Sequence, residues 1–221
     1  MLQALYTNIE SLLPAIYFIA GGVVITLKYS ITAVFFGLSL GTIIAICKIN
    51  NNSILKHLAS FYTSIFRGTP LLIQLSVIYF GIPSIFNVRI SIFAGGVIAF
   101  SLNSAAYVSE VIRAGINSID KGQFEAARAL NVPTKYIYKD IIMPQAIRNI
   151  FPSLVNELIN LVKESAIISM LGEADLMYRA QLVCAETYRY FMPLMIAGCY
   201  YYLIVLFLTY LAKLLERKLT I

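Results

Sequence analysis

The sequence predicts an all-α protein that crosses a membrane several times. Of its 221 residues, 59% are apolar and 13% are charged, whereas a soluble domain carries about 25% charged residues. The mean hydropathy is +0.79. The apolar residues occur in runs separated by basic segments, and each long run can cross the roughly 30 Å hydrocarbon layer as a helix of about 20 residues. A chain of this composition is not expected to stay dissolved in water.

Five membrane-spanning helices can be laid out within a single domain that covers residues 1–221. We place them at about residues 22–47, 57–82, 91–112, 149–171 and 192–212. The apolar stretch before them would make the first span too long for one crossing, so we expect Gly21-Gly22 to break the run. Residues 1–21 are then an interfacial segment on the outer face of the membrane.

Lysine and arginine are distributed unequally between the two sides of this layout. One set of loops carries 11 of the 17 basic residues, the other set carries three, and the remaining three fall inside spans. The positive-inside bias therefore places the N-terminus outside the cytoplasm and the C-terminus in it. The same loops explain the net charge of +6, so no nucleic-acid partner is inferred.

The second span contains an interruption at Arg67-Gly68-Thr69-Pro70. Proline lacks an amide donor and is tolerated in a first helical turn, and threonine is a good N-cap, so we expect a new helical segment to start at Pro70. The interruption lies about 20 Å from Lys56, near the middle of the membrane. Broken helices at that depth mark binding sites in transporters. A proline kink that serves packing alone is the alternative.

Gly37 and Gly41 form a small-xxx-small pair in the first span. Two glycines at this spacing let another helix approach closely. Such pairs are common in apolar helices, so this pair predicts packing and not a particular function.

The segment from 113 to 148 is the one long polar loop, and it contains a short predicted helix from Gly122 to Asn131. Its residues are strong helix formers, and Asn131 can adopt the left-handed conformation that ends a helix. Ala126, Ala127 and Leu130 can insert into a groove of a partner, with Glu125 and Arg128 at the groove's rim. An ordinary surface helix would have the same pattern.

This loop resembles the EAA signature of ABC importer permeases, in which EAA is followed by three residues, Gly, nine residues and Ile-x-Leu-Pro. Here the matching residues are Glu125-Ala126-Ala127, Asn131 and Ile141-Ile142-Met143-Pro144. Asn131 replaces the glycine and Met143 the leucine, and both are mild changes. Further stretches resemble the polar amino-acid branch of that family: Arg67-Gly68-Thr69-Pro70-Leu71-Leu72, Asn103-Ser104-Ala105-Ala106-Tyr107, Arg113-Ala114-Gly115-Ile116 and Lys163-Glu164-Ser165.

The resemblance implies the transmembrane fold of a type I ABC importer in a bacterial inner membrane, with the N-terminus periplasmic. It implies that the loop helix couples to a cytoplasmic ATPase. A second permease subunit and a periplasmic amino-acid-binding protein are the other implied partners. The chain has no GxxxxGK[ST] phosphate loop, so we expect a non-catalytic subunit without cofactor or metal. The implied coupling residues are Glu125, Ala126, Ala127, Arg128 and Asn131.

Polar residues inside the spans are candidate substrate contacts, because facing lipid would cost them several kcal/mol. A carboxylate, an amide and a hydroxyl-capped helix start would suit the ammonium and carboxylate of an amino acid. The alternative is internal pairing of Arg67 or Lys163 with the acidic residues of the fourth span. The candidate set is Thr69, Asn103, Glu157, Leu161 and Glu164.

Two other functional classes fit less well. An intramembrane protease of the Ser-His type needs a histidine within a span, but the one histidine, His57, lies at a cytoplasmic boundary. An ion channel or another ATP-independent transporter would need no docking loop. The resemblance favours glutamine as the substrate, with a basic amino acid such as arginine or histidine second.

Overall fold

A computed structural model describes residues 13–50 and 52–219, and all regular elements in this part of the chain are helical. The all-α prediction is therefore confirmed. The helices are α1 (13–20), α2 (Val23–Ile49), α3 (Ser53–Gly68), α4 (Leu71–Phe86), α5 (Ile92–Asn117), α6 (Lys121–Ala129), α7 (Met143–Glu164), α8 (Leu176–Thr187) and α9 (Phe191–Leu219).

A short helix, Thr134–Tyr136, and three irregular helical stretches complete the helical elements. A π-helical turn, Val77–Gly81, lies inside α4, and a second one, Ile137–Ile142, leads directly into α7. A 3₁₀ helix, Ser165–Leu171, follows α7 and ends at Gly172, whose φ of 84° is left-handed. The chain turns there into the segment that begins α8.

The described helices include several that can cross a membrane. Leu13–Ile49, Ile92–Asn117 and Phe191–Arg217 are long and apolar enough to do so, and α3 with α4 meets the same requirement as a pair bent by 105°. By length and composition, residues 13–50 and 52–219 thus contain three candidate spans, or four if the bent pair counts as one span. The amphipathic helix α7 does not meet the requirement.

The break predicted at Gly21-Gly22 is present as a turn of two residues, because α1 ends at residue 20 and α2 begins at Val23. Gly22 has right-handed helical torsion angles, φ −73° and ψ −20°, and Thr26 N–H donates to its carbonyl at 3.0 Å. The turn is mild, so α1 and α2 together form one apolar helical stretch of 37 residues, Leu13–Ile49. The absence of a side chain at Gly22 lets the backbone of Asp175 pack closely against α2, since a Cβ on Gly22 would lie 2.5 Å from that backbone.

The close helix approach predicted at Gly37 and Gly41 is confirmed. A Cβ on Gly37 would lie 2.8 Å from Ser104 Cβ, and one on Gly41 would lie 2.8 Å from Val108 Cβ. Because both partners belong to α5, the two glycines set the packing of α2 against α5. This pair of helices is the centre of the fold, and its largest buried side chains are Tyr29 and Phe100.

A second set of contacts, the α2–α8 junction, joins α2 to the start of α8 and consists of Thr26, Tyr29, Glu173, Asp175 and Leu176. Leu176 N–H donates to Thr26 Oγ1 at 3.4 Å, and Tyr29 Oη donates to Glu173 Oε2 at 3.0 Å. Asp175 is fully buried, caps α8 through Tyr178 N–H at 2.8 Å, and accepts from Tyr201 Oη at 3.2 Å. Burial raises the pKa of the Asp175 carboxyl to about 6, against the hydrogen bonds that favour its charged form.

Candidate functional site

The interruption predicted in the second span is present. Helix α3 ends at Gly68, and α4 begins at Leu71, one residue after the predicted start. Thr69 does not cap α4, however, because Pro70 occupies the N-cap position and no side chain bonds to that helix start. Thr69 Oγ1 instead donates to Ile65 O at 2.9 Å, so its hydroxyl belongs to the end of α3.

Side chains from α4 and α5 satisfy the carbonyl groups that the interruption leaves without helical donors. Gln74 Nε2 donates to Phe66 O at 2.9 Å, to Thr69 O at 3.0 Å and to Thr69 Oγ1 at 2.9 Å. Asn103 Nδ2 donates to Phe66 O at 3.2 Å and to Gln74 Oε1 at 3.0 Å. We call Phe66, Thr69, Gln74 and Asn103 the break cluster.

Asn103 was predicted to contact the substrate, but in the structure its side-chain amide bonds within the break cluster. Its side chain is 5% exposed, and its amide nitrogen is engaged by two acceptors within the chain. Gln74 was not among the predicted site residues. The sequence signal for it is that Gln74 is the one polar residue among the five residues that follow Pro70.

The remaining substrate candidates lie on α7 in different environments. Leu161 is 1% exposed and belongs to the core with Tyr29 and Phe100. Glu157 is half-buried and lies beside Ser104, although Ser104 Oγ makes no hydrogen bond within the described residues. Glu164 is exposed in the last turn of the helix.

No ion pair joins these carboxylates to Arg67 or Lys163 in the part of the chain that the structure describes. Neither Glu157 nor Glu164 forms an ion pair within residues 13–50 and 52–219. The Arg67 guanidinium lies over the Tyr107 ring at 5.4 Å from the ring centre. Neither carboxylate is therefore within ion-pair distance of a basic side chain among the described residues.

The described ion pairs join other residues at the far end of α2. Lys48 Nζ pairs with Glu110 Oε1 and donates to Thr63 Oγ1 at 2.5 Å, while Arg113 Nη2 lies 2.7 Å from Glu110 Oε2. The Lys48 side chain is only 5% exposed. The predicted first span, residues 22–47, leaves Lys48 just outside the membrane, whereas α2 includes it and buries its side chain.

The loop helix predicted at Gly122 to Asn131 is α6, Lys121–Ala129. Asp120 accepts from Gly122 N–H at 2.6 Å and caps its start. Asn131 has a φ of 56°, and Val132 N–H donates back to Ala127 O at 3.0 Å. The left-handed helix end predicted at Asn131 is therefore confirmed.

The faces of α6 divide its residues into two groups. Glu125, Ala126 and Arg128 are exposed, and Leu130 just beyond the helix is 78% exposed. Ala127 is 5% exposed and packs with Ile137 and Ile142 of the π turn. The expectation that Ala127 inserts into a partner is corrected by this contact, because its methyl group is already buried inside the loop.

Comparison with models of protein families identifies the family to which the chain belongs. The family described as binding-protein-dependent transport system inner membrane component matches residues 37–221. The chain belongs to this family. Its role is that of a membrane permease in such a system, and the ABC importer resemblance of the EAA loop is confirmed.

Two relatives of this transport family are similar over almost the whole chain. A Rickettsia conorii protein named for a glutamine transport system permease, GlnP, is 64% identical over 208 residues, which are 94% of this chain and 95% of the relative. The arginine transport system permease protein ArtQ of Bacillus subtilis is 51% identical over 212 residues, with 96% and 97% coverage.

Solved structures agree with the family assignment. An amino acid ABC transporter crystallised with histidines superposes with a TM-score of 0.89 at 42% identity and covers 95% of this chain and 97% of its own. The inward-facing methionine ABC transporter MetNI has a TM-score of 0.77 at 20% identity, with 94% and 98% coverage, and shows the shared fold.

Proposed function

We propose that this chain carries glutamine across a bacterial inner membrane as the permease subunit of an ATP-driven importer. The observation that carries the substrate assignment is the 64% identity with a protein named for glutamine transport. The 51% identity with an arginine permease makes a basic amino acid the second candidate.

The proposed topology has five crossings, formed by α2, the α3–α4 pair, α5, α7 and α9. Of these five helices or helix pairs, α7 is the one that is not apolar enough to be identified as a span by composition. Its Leu161 and Val162 are buried in the protein, and a helix whose polar face borders a water-filled path can cross without being apolar all round. The charge bias of the loops supports an orientation with the N-terminus in the periplasm and the C-terminus in the cytoplasm.

In this proposal, Glu157 and Glu164 receive the substrate ammonium, and the support is that neither carboxylate forms an ion pair within the described residues. Thr69 and Asn103 contribute through the break cluster, which fixes the interruption beside the path. Leu161 lies one turn after Glu157 on α7, and its side chain packs in the core with Tyr29 and Phe100. The positive dipole end of α4 would favour the substrate carboxylate.

Energy is proposed to come from a separate cytoplasmic ATPase that binds α6. The exposed residues Glu125, Ala126 and Arg128 supply the contacts, and Asn131 holds the end of the helix. A second permease, identical or paralogous, completes the path, and a periplasmic binding protein delivers the substrate.

The test of this function is uptake by the assembled complex in proteoliposomes, with the ATPase and the binding protein present. Glutamine should accumulate when ATP is supplied, and arginine should accumulate less. Equal uptake without ATP would identify a channel or an ATP-independent transporter. Higher arginine uptake would replace glutamine as the substrate and leave the importer mechanism intact.

A matched pair of substitutions tests the carboxylate site. Glu164→Gln removes a charge that faces the substrate ammonium, so uptake should fall about 10- to 100-fold, as for the loss of one charged hydrogen bond. Glu186→Gln is the control, because Glu186 is exposed on α8. Thermal stability is measured on the same preparations, and an equal loss of stability and uptake in Glu164→Gln would argue for a structural role.

The proposed span count is tested by labelling single cysteines at Asn117 and Ala185 in a background without native cysteines. Both positions are exposed, and the five-span topology places them on opposite sides. Labelling of Asn117→Cys from outside intact cells would exclude that topology.

A further inference from the structure

A polar cavity of about 570 Å³ lies between α2, α3 and α5, beside the break. Four cationic side chains and one carboxylate line it, so its walls carry a net charge of about +3 by simple counting of those groups. The carboxylate is Glu110, and the cations are Lys48, Lys56, Arg67 and Arg113.

One wall of the cavity is a polar stripe along α3, formed by Lys56, Ser60, Thr63, Ser64 and Arg67. Steps of three and four residues keep these side chains on one face of the helix. From Lys56 to Arg67 the stripe extends about 16 Å along the axis. The stripe therefore runs from the first turn of α3 to the break. In the proposed topology, this part of α3 lies within the membrane, where polar groups need water or protein around them.

The cations of the cavity are not equivalent. Glu110 is engaged by Lys48 and Arg113 together. Lys56 and Arg67 have no carboxylate partner within the described residues, and Arg67 contacts the face of Tyr107 instead. The unbalanced positive charge thus lies at the two ends of the α3 stripe.

We propose that this cavity is a water-filled vestibule that binds the carboxylate group of the transported amino acid through Lys56 and Arg67. The assignment of the ligand and of the cytoplasmic side rests on the proposed function. Ser60 and Ser64 supply hydroxyl donors between the two cations. A cationic amino acid is disfavoured in the vestibule, because its additional positive charge meets walls of the same sign.

The electrostatic part is tested by thiol chemistry on the full importer complex in inside-out vesicles, after removal of Cys47, Cys184 and Cys199. Ser64→Cys is treated with anionic and cationic methanethiosulfonate reagents, and each rate is divided by that of a free thiol. The exposed residue Asn117 gives the control variant Asn117→Cys. An electropositive cavity should favour the anionic reagent about tenfold at Ser64→Cys and not at Asn117→Cys, and adding Arg67→Gln should reduce the preference.

The ligand is tested by protection of Ser64→Cys with glutamine and with 4-aminobutanamide, which lacks the carboxylate. Protection by glutamine alone supports the proposal. Absence of reaction, absence of a charge preference or equal protection by both compounds would overturn it. Protection only by phosphatidylglycerol would assign the cavity to a lipid phosphate and would also overturn it.

The vestibule and the glutamine assignment can fail separately. If the wild-type complex accumulates arginine and not glutamine, the proposed substrate is wrong whatever the reagent preference. Loss of that preference in a complex that accumulates glutamine normally would instead remove the vestibule and leave the proposed function in place.

Discussion

Asn103 Nδ2 on α5 donates to Gln74 Oε1 on α4 at 3.0 Å, and both side chains also donate to the carbonyl of Phe66 at the end of α3. Three helices thus meet at one backbone oxygen. The interruption of the second span is held by side-chain amides from two of them, and the geometry of the break does not depend on Pro70 alone.

The first prediction concerns this arrangement. Asn103→Ala and Gln74→Ala should each lower stability by about 1 to 3 kcal/mol, because the part-buried carbonyl groups at the break lose their donors. The double variant should lose less than the sum, with a coupling of about 0.5 to 3 kcal/mol. Thermal unfolding in detergent, without substrate, measures both effects. Asn156→Ala is the control at an exposed position, and additive losses would show that the two amides act independently.

The second prediction distinguishes the members of the ion-pair network. Glu110→Gln leaves Lys48 buried without a counter-ion and should cost about 3 kcal/mol. Lys48→Met should cost less, because Glu110 keeps Arg113 as a partner. Thermal unfolding of both variants tests this, and the midpoint should be lower for Glu110→Gln than for Lys48→Met. A larger loss in Lys48→Met would mean that the hydrogen bond to Thr63 dominates.

The third prediction uses two glycines in different surroundings. Gly22→Ala should destabilise the protein strongly, because its Cβ would press on the backbone of Asp175 and Leu176 at 2.5 Å. Gly198→Ala meets nothing within 4 Å on the helix α9 and should be neutral or stabilising by up to about 1 kcal/mol. Expression and thermal stability of the two variants are compared, and similar behaviour would contradict the close packing at Gly22.

The fourth prediction separates docking of α6 from the folding of its loop. Ala126→Trp adds bulk to an exposed position and should reduce copurification of the ATPase while leaving the permease stable. Ala127→Trp should lower stability as well, because the side chain is packed against Ile137 and Ile142. Normal ATPase binding by a stable Ala126→Trp variant would exclude this face from docking.

The fifth prediction concerns pH and the carboxyl of Asp175. Its pKa in the fold is about 6, above the ordinary value of 3.8, so its neutral form stabilises the protein. That contribution is complete below about pH 4 and is lost as the pH rises through 6, a change of about 2 to 3 kcal/mol. Asp175→Asn keeps the capping oxygen and removes the titration.

The measurement is the difference in unfolding midpoint between Asp175→Asn and the wild type across pH 4 to 7. The variant should gain relative stability as the pH rises through this range. A constant difference would mean that the carboxyl titrates near its ordinary value in the fold.

Local chemistry predicted some features of this protein correctly. Pro70 fixes its own φ and Asn131 tolerates the left-handed conformation, and each lies at a helix boundary that the sequence predicted to within about one residue. The EAA loop gave the family, which the match over residues 37–221 confirms. The overall helical fold followed from hydropathy, because long apolar runs have few alternatives in a membrane.

Features that depend on distant partners could not be predicted in this way. Gly22 is needed because the backbone of Asp175 lies against it, and nothing near Gly22 in the sequence indicates that contact. Lys48 is buried because Glu110, 62 residues later, neutralises it. The role of Asn103 likewise depends on Gln74, a residue whose importance appears only when α4 and α5 are packed together.

The α2–α8 junction has a consequence for biosynthesis. Tyr29 and Glu173 are 144 residues apart, and Thr26 and Leu176 are 150 apart. At a translation rate of about 5 to 20 residues per second, the ribosome needs about 8 to 30 s to make the second partner after the first. During that interval, α2 is already made while its polar side chains await their native partners, so final packing of the first helix is among the late steps of assembly.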